Sequence, residues 1–116
     1  MRSEARTPEE LETLFEDAFV LRDQTALAEL FDDGAILVAG DQPIEARGSE
    51  QITRLARGIW ESNHLYIAAP TRVLQAREIT LIVTDTGVNV ARRRRDGNWR
   101  YAIALLGDEP TKRRSE

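Results

Sequence analysis

The stretch "ARRRRDGNWRYAIALL", residues 91 to 106, constrains the fold most, because the turn pair Asp96-Gly97 joins two strand-like runs and so demands a β-hairpin. In a two-residue type I′ turn the cross-strand pairs are 95/98, 94/99, 92/101, 90/103 and 88/105. One face then carries Val88, Val90, Trp99, Tyr101, Ile103 and Leu105. The other carries Asn89, Ala91, Ala102 and Ala104, with Arg93, Arg95 and Arg100 toward the turn. A three-residue loop would bring Asn89 and Ala91 onto the aromatic face, so the hydrophobic pattern predicts the two-residue register. That register sets Arg94 opposite Trp99 and Arg92 opposite Tyr101, where a guanidinium over a ring contributes roughly 0.5–1 kcal/mol.

Because the four arginines alternate between faces, they form no continuous basic surface. The net charge is −4, with ten acids against three bases in residues 1–33 and ten acids against thirteen bases in the remainder. A negative overall field argues against nucleic acid as a partner, and the arginines read as gatekeeper charges at a solvated hairpin tip. No apolar run approaches the roughly 20 residues that span a bilayer, so no membrane partner is expected. The chain starts "MRSEARTPEE", without a signal-peptide pattern, and has no cysteine, so a reducing cytoplasm is the expected setting.

Upstream, "TPEELETLFEDAFVLRD" predicts a helix over about 8–22, with Thr7 as N-cap, Pro8 in the first turn and Glu10 closing a capping box. Leu11, Leu14, Phe15, Ala18 and Phe19 share its apolar face. A second helix over about 24–32 is capped by Asp23 or Thr25 and stops at Gly34. Strands follow at 35–39 and 44–47, then a helix over 49–61 that buries Ile52, Leu55, Ala56, Ile59 and Trp60. Four further strands are expected at 65–76, 79–85, 88–95 and 98–106, the first interrupted by Pro70 as an edge strand or bulge would be. Residues 107–116 have no periodicity and are expected to be a disordered tail. Residues 1–106 therefore form one α+β domain of order ααββαββββ, its curved, mostly antiparallel sheet wrapped around three helices.

That order, with "LAELFDDGAIL", "GSEQI" opening the third helix and "RRRRDGNWRYAI" near the end, resembles the nuclear transport factor 2-like superfamily. It is most similar to the SnoaL-like and ketosteroid isomerase-like branch and its small bacterial members, over about residues 8–106. The resemblance implies a cone whose open end holds a small apolar ligand, and pairing of two chains through their sheets. It also implies catalytic positions, which this sequence departs from. The base Asp of the steroid isomerases falls on Ala39 and their oxyanion-hole Tyr on Phe15. The Arg and paired Asp of the limonene epoxide hydrolases find no counterpart on the last strands, and the segment "VTDTGVNV" is short of a hairpin extension.

Acid–base chemistry then falls to the titratable groups near the cone: His64, Asp41, Tyr101 and Asp85. His64 has a second reading as a helix C-cap, Asp41 and Asp85 as turn residues, and Tyr101 as pocket wall. Phe15, Phe19, Trp60, Tyr66, Trp99, Tyr101 and Ile103 are the expected pocket lining. One histidine and no cysteine give no metal site, and no glycine-rich phosphate loop suggests a nucleotide cofactor. The small side chains of Ala91, Ala102 and Ala104 predict a flat apolar face that a second copy would cover. Two functions stand side by side: a domain that binds a small apolar molecule, with isomerase or cyclase-like chemistry as its enzymatic form, or a non-catalytic dimeric binding or accessory module with a vestigial pocket.

Overall fold

Thr7 begins the first helix, α1 (Pro8–Leu21), by accepting the Glu10 N–H on its hydroxyl at 3.1 Å. The Glu10 carboxylate reaches back to the Arg6 N–H at 2.6 Å, one residue before the cap. The buried stripe of α1 is Pro8, Leu11, Glu12, Phe15, Ala18 and Phe19. The computed structural model of the chain describes residues 4–39, 44–61, 70–84 and 87–106.

Asp23 caps α2 (Gln24–Ala28) by accepting the Ala26 N–H at 3.1 Å. This helix ends four residues before the predicted 32, because strand β1 (Phe31–Ala39) starts there instead. The Leu30 carbonyl accepts the Tyr101 N–H at 2.8 Å, and the Phe31 ring lies against Phe15 and Tyr101. Gly34, with φ +74°, consequently serves an irregularity within β1 rather than a helix stop. The short β2 (Ile44–Arg47) leads into α3 (Gly48–Glu61), which buries Ile52, Ala56 and Trp60.

The remaining strands are β3 (Arg72–Ala76), β4 (Ile79–Thr84), β5 (Gly87–Arg93) and β6 (Trp99–Leu106). They assemble with the first two into one curved sheet of order β2-β1-β6-β5-β4-β3, parallel only between β1 and β6. The α+β order ααββαββββ is as expected, and β3, preceded by Pro70, is an edge strand. The tail and residues 65–69 of the long predicted strand lie outside the described residues.

The hairpin register differs from the prediction. Arg94 and Asn98 close a three-residue loop, with Arg94 N–H donating to the Asn98 carbonyl at 2.8 Å and Gly97 N–H to the Arg94 carbonyl at 2.9 Å. A type I′ turn would need positive φ at both Asp96 and Gly97, and only Gly97 has it, at +88°. The pairs are accordingly 93/99, 92/100 and 91/101. One extra residue on β6, Ala102, then shifts the ladder to 90/103, a pair that the two-residue register also contains.

That bulge reverses the facing of β6 halfway along. Trp99, Tyr101 and Ala104 point to the helices together with Asn89 and Ala91, whereas Ile103, 39% exposed, points away. Three expectations are corrected by the three-residue loop and this insertion together, the loop turning Asn89 and Ala91 inward and the bulge turning Ile103 out and Ala104 in. Asn89 is inside, Ile103 is outside, and Ala91 and Ala104 are fully buried core residues that cannot meet a second copy. Arg93 rather than Arg94 stands opposite Trp99, its guanidinium carbon 5.9 Å from the ring centroid.

A Cβ at Gly97 would meet only the tip of Arg6 at 3.9 Å, so its replacement tests backbone strain alone. Gly97→Ala should lower the unfolding free energy by about 1–2 kcal/mol, read from the urea midpoint at unchanged slope. An unchanged midpoint would contradict the left-handed loop.

Candidate functional site

An acid within the apolar stripe of a helix is the unusual local feature of α1. Glu12 lies one turn from Pro8 and beside Leu11, so the helix carries its carboxylate into the interior, where 2% of the residue is exposed. A buried carboxylate is costly unless it is hydrogen-bonded. Here one oxygen, Oε2, accepts the Tyr101 O–H at 2.5 Å and an Asn89 side-chain N–H at 3.1 Å.

The orientation of Asn89 follows from its other end. Its Oδ1 accepts the Leu105 backbone N–H at 2.8 Å, a donor only, which turns the amide nitrogen toward Glu12. Thus α1, β5 and β6 each contribute one member of a buried cluster: Glu12, Asn89 and Tyr101. Such a carboxylate can accept a proton or a hydrogen bond from any group that reaches it.

Access is what the surroundings restrict. Phe15 bridges Tyr101 at 5.1 Å between ring centroids and Phe19 at 5.2 Å, and Phe19 meets Trp60 edge to face at 5.6 Å. Leu11, Phe15, Leu37, Ile52 and Tyr101 have no exposed surface, so no water-sized void touches them. This half of the cone is filled by its own side chains. Among the described residues the buried Trp60 indole N–H has no hydrogen-bond partner, and the ring packs edge to face on Phe19.

Of the predicted site residues, Tyr101 belongs to this cluster, and Phe15, Phe19, Trp60 and Trp99, expected as pocket lining, are buried in the core. Ile103 lies on the outer face. His64, Asp41, Asp85 and Tyr66 lie outside the described residues. Sequence reasoning missed Glu12 and set Asn89 aside. The available signal was the 8-11-12-15-19 spacing, which places Glu12 in the buried stripe as firmly as Phe15.

At the hairpin, Arg93 grips Glu78 through two hydrogen bonds of 2.7 and 3.0 Å, and this contact holds the Glu78 carboxyl below the usual carboxylate range. Arg94 pairs with Asp32 at 3.0 Å. The Asp96 carboxyl is lowered chiefly by the Asn98 backbone N–H that it accepts at 2.9 Å. Asp32, Asp33 and residues 92–96 line an open groove of about 570 Å³. Both charge signs meet there, unlike a surface built for polyanions.

No family model and no curated protein matches this chain. Solved structures do. A ketosteroid isomerase-like protein from Erwinia carotovora atroseptica is similar over 85% of this chain and 91% of its own, with TM-score 0.68 and 16% identity. This chain has the nuclear transport factor 2-like fold. An NTF2-like protein with a cystatin-like fold from Novosphingobium aromaticivorans matches 85% of this chain and 77% of its own, with TM-score 0.63 and 16% identity. A candidate calcium/calmodulin-dependent protein kinase type II association domain from Thiobacillus denitrificans matches 91% and 98%, with TM-score 0.74 and 17% identity. Ala39 and Phe15, the residues that the sequence resemblance set at the isomerases' base and tyrosine, are buried and apolar.

Tyr101→Phe removes one donor from Glu12 and should destabilise the fold by about 1.5–3 kcal/mol, the range for a hydrogen bond to a charged group. In a denaturation double-mutant cycle, Glu12→Leu with Tyr101→Phe should cost clearly less than the two singles together. Additive losses would show that the pair does not act as a unit.

Proposed function

We propose that this chain is a dimeric binding module that pairs through the outer face of its sheet, with the interior of the cone acting as its structural core. The carrying observation is a registered row of aliphatic residues on the face opposite the helices. Leu74, Leu81, Val90, Ile103 and Ile36 are consecutive cross-strand partners from β3 to β1. At about 4.8 Å per strand the row spans roughly 19 Å. Leu74, Leu81 and Ile103 are 43%, 40% and 39% exposed, with Ile79 beside them at 46%. A contiguous apolar strip of that extent is a contact surface by default, and stacked sheets bury such rows against each other. The likeness to a candidate association domain agrees with this reading. The setting proposed for the module is the cytoplasm, with which the cysteine-free sequence is consistent.

The partner face thus replaces the one first expected from Ala91, Ala102 and Ala104. In sedimentation at high micromolar concentration the protein should run at twice the 13.1 kDa chain mass. Leu81→Asp should run as a monomer with an unchanged circular dichroism spectrum. A wild-type monomer at that concentration would overturn the proposal.

The buried cluster favours a second reading, in which a small apolar ligand enters the cone and Glu12 is its polar anchor, or the acid–base group of an isomerase or cyclase-like reaction. A carboxylate with two donors on one oxygen is a costly thing to keep in a core, and ligand recognition is one use for it. A thermal-shift screen against hydrophobic ring compounds decides between the readings. An upward shift that Glu12→Gln abolishes supports the ligand site; no shift across the panel, with a stable dimer, leaves the module.

A further inference from the structure

At β3 the sheet ends with its backbone open. The Arg93 N–H donates to the Glu78 carbonyl at 2.8 Å, so Glu78 turns its backbone toward β5, and by alternation Ile79, Leu81 and Val83 turn theirs toward β3. Their partners Ala76, Leu74 and Arg72 therefore face β4, which leaves the N–H and C=O of Val73 and Gln75 pointing out of the sheet. Neither residue has another hydrogen-bond partner among the described residues. The faces of the strand are little covered as well: Val73 is half-buried, and Arg72, Leu74, Gln75 and Ala76 are exposed. Such an edge is a template for one more strand unless charge, proline or a covering segment blunts it.

The limits of the edge select the strand that fits it. Pro70, which has no N–H, stands before β3, and the Arg77-Glu78 turn closes it, so a pairing strand has residues 72–76 to use. That window is symmetric about Leu74. In an antiparallel pair of two such edges, Val73 exchanges hydrogen bonds with Gln75 of the second copy, and Leu74 meets its own counterpart in a non-hydrogen-bonded pair, where side chains come closest. Arg72 falls opposite Ala76 of the second copy, so like charges are not set against each other. The outer aliphatic row, which ends at Leu74, then runs on into the same row of the second copy.

We infer that β3 is a second self-association surface, at which two copies of this chain pair antiparallel about Leu74 and join their sheets edge to edge. This goes beyond the face-to-face dimer and does not rest on it. With the backbone of Val73 and Gln75 alone to pair, the edge contact is weaker than the outer face and forms at higher concentration.

The test is disulfide trapping in the full chain, which has no cysteine of its own. Across the edge pair, position 74 and its counterpart stand about 4.5 Å apart at Cα, within disulfide reach, whereas the two copies of position 72 stand about 14 Å apart. Under mild oxidation Leu74→Cys should therefore form a covalent dimer at least about tenfold faster than Arg72→Cys. Adding Gln75→Pro removes an outward N–H and spares the bonds to β4, so it should slow the Leu74→Cys dimer about tenfold with an unchanged circular dichroism spectrum. Adding Leu81→Asp instead, which breaks the outer face, should leave the rate as it was. Equal rates at positions 72 and 74, or a rate that Gln75→Pro does not change, would overturn the edge pairing. Cross-linking that Leu81→Asp abolishes and Gln75→Pro does not would assign the contact to the outer face, overturning this inference while the face dimer stands. The reverse pattern supports the edge, even where wild type is a monomer at high micromolar concentration and the face dimer fails.

Discussion

One inserted residue decides which side chains this molecule buries and which it presents. Ala102 bulges out of β6, so that Tyr101 and Ala104 both face the helices while Ile103, between them, faces out. Without the bulge, a period of two would put Ile103 beneath α1 and Ala104 outside, exchanging a large residue for a small one at the centre of the core. The outer aliphatic row would also lose its member on β6. The bulge therefore shapes both the core and the contact face, while the three-residue loop before it sets Asn89 on the same side as Tyr101.

The bulge is in turn supported by a hydrogen bond that no strand ladder provides. Asn89 takes the Leu105 N–H on its side chain and spends its own N–H on Glu12. Glu12 is held by Tyr101, which packs on Phe15 from the same helix. Helix α1 is thus tied to both strands of the hairpin by polar contacts in its middle and by aromatic contacts toward its end. A buried network of this kind specifies one arrangement, since any slip of β6 against β5 would strand a carboxylate in apolar surroundings.

Much of this was legible in the sequence, and the failures have a common physical origin. The Thr7 cap, the α1 stripe, the element order and the nuclear transport factor 2-like resemblance all rest on local pattern, and local pattern survives in the structure. The hairpin loop was misjudged because Asp96-Gly97 fits both two- and three-residue turns, and the three-residue form required burying Asn89. Taken alone, a buried Asn is a penalty. Its compensating partner is Glu12, 77 residues away, which is also polar and also looks like a surface residue when read alone. Two polar residues that are wrong separately and right together lie beyond single-residue hydropathy. The predicted dimer face failed for the same reason, since it was built on the register that put Ala91 and Ala104 outside.

The most direct measurement uses the absence of cysteine from the chain, which lets one substitution supply the only thiol. Thiol-reagent labelling rates of Ile103→Cys and Ala104→Cys, each followed over a dilution series, report facing and pairing together. The account predicts that position 103 labels fast when dilute and slows as the concentration rises, and that position 104 labels only on unfolding at every concentration. Fast labelling at 104 with protection at 103 would contradict the bulge, and labelling at 103 that ignores concentration would contradict the paired outer face.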